Sequence, residues 1–182
     1  MRSRATYRHG NVRAEAVAAA YDEVVAKGHA ALSLRRVAER VGIAHRSLYN
    51  HFDDREALLD AVAEVAFVEL AAALKKARSS DAFLQAYVTF ALRRPHLHAL
   101  MASRPHATMK RKPALQRAVH LGITEALRMY GRPDRSSAQN RRAVMKILIL
   151  VHGALALYSA GILDVRGSHG LIAELQAMVA AG

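Results

Sequence analysis

Residues 33–52 read S-L-R-R-V-A-E-R-V-G-I-A-H-R-S-L-Y-N-H-F, the pattern of a helix, a tight turn and a second short helix. Leu34, Val37, Ala38 and Val41 recur at i, i+3, i+4 and i+7, the spacing that lines one face of a helix. Ser33 precedes that run, where its hydroxyl can accept from a free N–H of the first turn. Gly42 follows the run and suits the left-handed backbone that closes a helix. Ala38 stands where the two helices must come close, and Gly42 where the chain must turn sharply between them. Leu48 and Phe52, four residues apart, anchor the second helix on the first. His45, Arg46, Ser47, Tyr49, Asn50 and His51 are left facing outward, and each carries a group able to hydrogen-bond bases or phosphates. The alternative for this local pattern is an ordinary helical hairpin with a polar outer face.

On its N-terminal side lies a basic tail over residues 1–10, with Arg2, Arg4, Arg8 and His9. A helix from Asn11 follows, with Val12, Ala16, Ala20 and Val24 stacked at spacing four, and Lys27-Gly28 is its stop signal. On the C-terminal side, Asp53 and Glu56 stand at capping-box spacing and open a helix that extends to about Arg78. It is apolar on nearly every side, so it is expected to be enclosed by other helices and to connect a small domain to a larger one. Ser79-Ser80-Asp81 is a fresh cap. Helices are then expected over 82–93, 96–103, 115–130, 136–160 and 171–180, with a basic, proline-bounded loop at 104–113 and a glycine-dotted turn at 161–170. The expectation is an all-α chain of about nine helices, with a head over 1–55 and a body over 56–182.

Composition agrees with that class. More than half of the 182 residues are apolar, and no stretch of alternating β-branched residues marks a strand. The formal charge of +12 attracts polyanions, although Arg- and Ala-rich chains also run basic through genome composition alone. The absence of cysteine excludes disulfides and thiolate metal sites. His96-x-His98 points its rings to different faces, and His45 and His51 are too poorly placed to chelate, so no metal or cofactor is expected. No nucleophile elbow, phosphate loop, dinucleotide fingerprint or H-E-x-x-H occurs, which leaves catalysis without a motif. The N-terminus lacks the apolar core of a secretory signal, and the interrupted run from Ile147 to Leu163 falls short of the ~20 residues of a membrane span. A cytoplasmic protein with no membrane partner is expected.

Three blocks, A-L-S-L-R-R-V-A-E-R-V-G-I-A (31–44), S-L-Y-N-H-F (47–52) and D-R-E-A-L-L (54–59), resemble in order and spacing the DNA-binding domain of the TetR/AcrR transcriptional regulators. The resemblance implies that Tyr49 and His51 hold the phosphate backbone, that Arg55 faces a phosphate, and that Ser33 both caps its helix and touches phosphate. It places His45, Arg46 and Ser47 at base-reading positions, with Asn50 further along, which agrees with how the N-terminal side chains of a recognition helix reach base edges. Ala44 departs from the Ser or Thr cap common in the family. Val151-His152-Gly153 is similar to the W-H-G triplet of one C-terminal domain type, with Val151 in place of the tryptophan.

The resemblance further implies a homodimer formed through the two C-terminal helices, double-stranded DNA with a palindromic operator as partner, and a small-molecule effector held in the body. Phe67, Phe83, Tyr87, Phe90, Met101, His120 and His152 are the candidates for lining the effector site, against the plainer reading of each as core. The leading expectation is a repressor released by its effector. The alternative is a protein that binds nucleic acid through charge alone, without sequence preference.

Overall fold

The computed structural model describes residues 11–104 and 111–180. The basic tail over 1–10 and most of the expected loop at 104–113 lie outside them. All nine expected helices are present, and no strand occurs among the described residues. In order they are α1 (Val12–Lys27), α2 (Leu34–Val41), a 3-10 helix (His45–Asn50), α3 (Arg55–Lys75), α4 (Ser80–Arg93), α5 (Pro95–Ala102), α6 (Pro113–Tyr130), α7 (Ser137–Ser159) and α8 (Gly167–Ala180). A short 3-10 turn, His29–Ala31, joins α1 to α2.

The helix ends follow from local chemistry. Ser33, Ser79 and Ser136 each accept a hydrogen bond from the backbone three residues on, and Ser136 with Gln139 completes a reciprocal capping box. At Gly42 the backbone is left-handed, with φ of 78°. Its N–H donates to the Glu39 carbonyl and that of Ile43 to the Ala38 carbonyl, the paired bonds that satisfy the last carbonyls of a helix. One cap differs from the sequence expectation. Asp54, not Asp53, opens α3, its carboxylate accepting from Ala57 N at 2.7 Å. Extended backbone at Asp54 aims that carboxylate at the third N–H, which frees Glu56 for ion pairs elsewhere.

Val24, Val37, Ala38, Leu48, Phe52, Leu58 and Leu59 are buried together and form the core of the head. α3 leaves that core and packs along α6. Arg128 of α6 secures the far end of α3 by donating to the carbonyls of Leu74 (3.3 Å) and Ala77 (3.2 Å), a cation at a helix C-terminus. α3 is not enclosed on all sides, because Val65 and Val68 are exposed. Its neighbours α1, α4, α5 and α6 cover the remaining circumference and leave one strip of Val and Ala in solvent. The apolar run from Ile147 is short of a span by itself. The whole of α7, however, is long and apolar enough to cross a membrane by length and composition, the one such helix among the described residues.

Candidate functional site

The outward face of the head is the first candidate. Residues 45–50 wind as a 3-10 helix instead of the expected α-helix, with Ser47 N bonding Ala44 O at 2.8 Å and His51 N bonding Leu48 O at 2.9 Å. Ala44 offers no side-chain cap, and a six-residue segment without one tightens readily into i→i+3 bonds. Leu48 and Phe52 are buried and seat this segment on α2. His45, Arg46, Tyr49, Asn50 and His51 are exposed and Ser47 is half-buried. The His45 and Tyr49 rings meet edge to face at 5.5 Å, which holds Tyr49 upright on the surface. The arginines of α2 are engaged within the head: Arg35 with Glu39, Arg36 with Glu23 and Arg40 with Asp22. Arg46 has no ion-pair partner among the described residues, so its guanidinium is available to a ligand.

Two of the expected phosphate contacts have structural duties as well. Ser33 is half-buried and its hydroxyl caps α2. Arg55 donates from Nε to the Leu32 carbonyl at 3.1 Å and from Nη2 to the Ala30 carbonyl at 3.0 Å, and also reaches the His29 carbonyl. Its donors thus tie the start of α3 to the turn before α2. Basic residue and position were legible, but the carbonyls it caps lie 23–26 residues away and were not.

The second candidate is a cavity of about 270 Å³ in the body, between α3, α4, α5, α6 and α7. Of the seven expected lining residues, Phe67, Tyr87, Met101 and His152 border it. Phe83, Phe90 and His120 do not. The cavity meets α4 at a single turn, around Tyr87, so Phe83 packs instead against Tyr130 and Phe90 lies beneath the Arg94 guanidinium. α6 turns Val119, Gly122, Ile123 and Ala126 to the cavity, and His120 is one residue off that face, exposed and bonded to the Gln116 carbonyl.

His98 and Arg104 were missed as lining residues. The signal for His98 was its i, i+3 relation to Met101 on α5. The two rings of His96-x-His98 do face different ways, His96 lying against Gly28 and His98 in the cavity wall. His98 stacks on His152 with ring centroids 5.1 Å apart, and Tyr87 stands edge-on to both. The Tyr87 hydroxyl and His152 Nε2 share a hydrogen bond of 3.0 Å. Burial holds the Tyr87 phenol well above its ordinary range and lowers His152. Burial, with His152 beside it, pushes His98 down to about 4. Both imidazoles are therefore neutral near pH 7. His98 Nε2 is buried with no hydrogen-bond partner among the described residues.

This depression makes His98 a stability term. The unfolded chain binds a proton near pH 6.5 that the folded chain refuses until about pH 4, so stability is complete above 6.5 and declines as the pH falls towards 4. A shift of that size corresponds to about 3 kcal/mol, less what solvent screening at the part-exposed ring removes. In urea titrations at pH 7 and pH 4.5, His98→Phe is expected to lose distinctly less stability on acidification than the wild type. Equal losses in the two proteins would remove this role.

α5 joins the two sites. At its start, Arg94 pairs with Glu69, which also accepts from the Tyr21 hydroxyl of α1 at 2.8 Å. Two residues on, His96 lies against Gly28, whose φ of 82° and close approach (a Cβ would come within 3.2 Å of the ring) suit only glycine. Past its end, Arg104 donates to Glu56 at 2.9 Å and to Asp60 at 3.1 Å, both on the first turns of α3. The helix that carries His98 and Met101 is thus held to α1 near its start, through Glu69 and through Gly28, and to the first turns of α3 past its end.

Residues 16–62 match the family profile described as bacterial regulatory proteins, tetR family, and residues 81–181 match the one described as Tetracyclin repressor-like, C-terminal domain. The chain belongs to the TetR family of transcriptional regulators. Among solved structures it is similar to a protein of unknown function from Rhodococcus sp. RHA1, at 28% identity over 98% of each chain with a TM-score of 0.77. A TetR transcriptional regulator from the same organism shares the fold at 19% identity, over 91% of this chain and 93% of that one, with a TM-score of 0.63. So does TetR from Acinetobacter baumannii AYE, a variant solved in complex with minocycline, at 21% identity over 97% and 96% with a TM-score of 0.62. No curated protein matches the chain significantly. The first matched region of this TetR-family chain ends within α3, the helix that runs from the head into the body, and the second begins in α4.

Proposed function

We propose that the chain is a homodimeric repressor that binds a palindromic operator and leaves it when a small molecule occupies the body. The observation that carries the DNA-binding half is the exposed row from His45 to His51, standing on the buried Leu48 and Phe52. A short polar-faced rod on a fixed seat can enter a major groove, with its first residues at base edges and its flanks on phosphate. Arg46 reads a base, with His45 and Ser47 beside it and Asn50 further along the rod, while Tyr49 and His51 hold the phosphate backbone. The head spans residues 1–55 and the body 56–182 in this reading.

The dimer half rests on α7 and α8. Met145, Ile149, Gly153, Ala156 and Leu157 form one exposed apolar stripe along α7, and Ile162 and Met178 are exposed beside it. Exposure of this kind on a long helix marks a partner surface. A second copy meets it by twofold symmetry, which sets two reading segments on one side for successive grooves ~34–36 Å apart. The same stripe accounts for the membrane-like composition of α7 without a membrane.

The release half rests on α5. A ligand pressing on Met101 and His98 moves a helix whose two ends hold α1 and α3, and so changes the spacing of the reading segments. The ligand needs only a preference for one of the two conformers.

Selection of bound duplexes from a random pool tests the DNA-binding half. An inverted repeat is expected, with half-sites one helical turn or a multiple apart. A steep salt slope without sequence preference would establish the charge-driven alternative instead. Within a selected operator, Arg46→Ala is expected to relax preference at one base pair per half-site, by ~1–3 kcal/mol. Tyr49→Ala is expected to weaken selected and scrambled duplexes equally. An unchanged ratio of selected to scrambled affinity in Arg46→Ala would take the base contact away from that residue.

A further inference from the structure

We propose that the body cavity takes an uncharged, ring-sized molecule bearing one hydroxyl, and that this hydroxyl bonds to the imidazole of His98. The inference rests on reading the cavity as the effector site and adds the chemistry of what enters it. Size comes first. About 270 Å³ lies below the usual range for drug-sized ligands and fits a single ring with a short substituent. Most of the wall is aliphatic or aromatic, with Phe67, Leu70, Leu74, Met101 and Leu148 among its members.

Charge comes next. No carboxylate lines the cavity among the described residues, so a cation would be buried without a counter-ion. The one cation on the wall among the described residues, Arg104, is already bound to Glu56 and Asp60, and an anion would have to compete with both. The two stacked imidazoles are neutral and resist protonation, the second the more so once the first is charged. An uncharged ligand meets none of these costs.

The polar group is the last step. The Tyr87 hydroxyl and His152 satisfy one another, whereas His98 Nε2 is buried without a partner among the described residues. Such an atom forfeits a hydrogen bond it had in water until it is paired. A neutral imidazole carries one donor and one acceptor nitrogen, and the tautomer of His98 decides which is Nε2. A hydroxyl both donates and accepts, so it pairs with either tautomer. A ketone or an ether could serve only one.

The test uses the full chain and a matched set of probes: 4-ethylphenol, ethylbenzene, 4-ethylbenzoate and 4-ethylbenzylamine, titrated by calorimetry. 4-Ethylphenol is expected to bind about tenfold more tightly than ethylbenzene, with the two charged probes weaker than either. In the wild type, the ring nitrogens of His98 should shift on adding 4-ethylphenol and stay in place with ethylbenzene, a readout that needs no variant. His98→Phe should erase the tenfold gap. Gly122→Leu, whose side chain would enter open space on the cavity wall, should abolish binding of all four. Tighter binding of the benzoate or the amine overturns the proposal, as does a phenol advantage that survives His98→Phe with unmoved His98 nitrogens. Failure of every probe to bind also overturns it. Operator binding is measured on the same samples without probe, so loss of the ligand chemistry and loss of the regulator reading are separate outcomes.

Discussion

Ile149→Asp is expected to give a folded monomer that no longer holds an operator. In the single chain Ile149 is 65% exposed, so replacing it removes little packing and the melting temperature should barely change. In the proposed dimer it lies mid-way along the α7 stripe, between Met145 and Gly153. A twofold axis brings the same patch from each subunit together, so one substitution installs two carboxylates in an apolar interface. Burying such charges without partners costs about 3–5 kcal/mol, which raises the dimer dissociation constant roughly 100- to 4,000-fold. Operator affinity should collapse with it, because one reading segment alone makes half of the contacts. Sedimentation equilibrium, thermal melting and a duplex-binding assay on one preparation provide the check. A dimer of unchanged strength would place the interface elsewhere. A melting temperature lowered by many degrees would mean that Ile149 serves the single chain's own core.

The same residues show what a sequence can and cannot carry. Ser33, Gly42 and Ser79 act through bonds to atoms within five residues, and each was readable at its position. Helical periodicity likewise located all nine helices, since it records only which side of a cylinder is apolar. What the sequence leaves unread is decided by distant partners. Arg55 has the charge of a phosphate ligand, and its donors also meet carbonyls from the turn before α2. Phe83, Tyr87 and Phe90 share one face of α4, and only Tyr87 reaches the cavity, because the cavity is one turn deep along that helix. His98 was visible as a histidine but not as the stacking partner of His152, which lies 54 positions later and on another helix. The 3-10 winding of the reading segment is a local matter, and Ala44 without a capping hydroxyl was its trace in the sequence.

Arg104→Met should cost about 2–4 kcal/mol of stability, and the loss should be largely repaired by a second substitution, Asp60→Leu. The side chain of Arg104 is 8% exposed and that of Asp60 13%, so the pair sits at the inner edge of the joint between α5 and α3. Deleting one member of a buried pair leaves the other charge desolvated, which is the larger part of the penalty. Here Lys112 also contacts Asp60, and Glu56 is half-exposed and keeps Arg55, so the cost falls short of that of a wholly isolated charge. Met preserves most of the volume and apolar length of the arginine stem. Asp60→Leu in the double variant removes the stranded carboxylate, and the coupling between the two changes should therefore amount to 1–3 kcal/mol. Chemical denaturation of the four proteins of the cycle measures it. If the two changes are simply additive, Arg104 does not fasten α5 to α3, and a ligand at Met101 would need another path to the head. If they couple, operator affinity in Arg104→Met should fall by more than in the double variant. The single change leaves a charge that drags α3 towards solvent, whereas the double change leaves two apolar side chains that can close on each other.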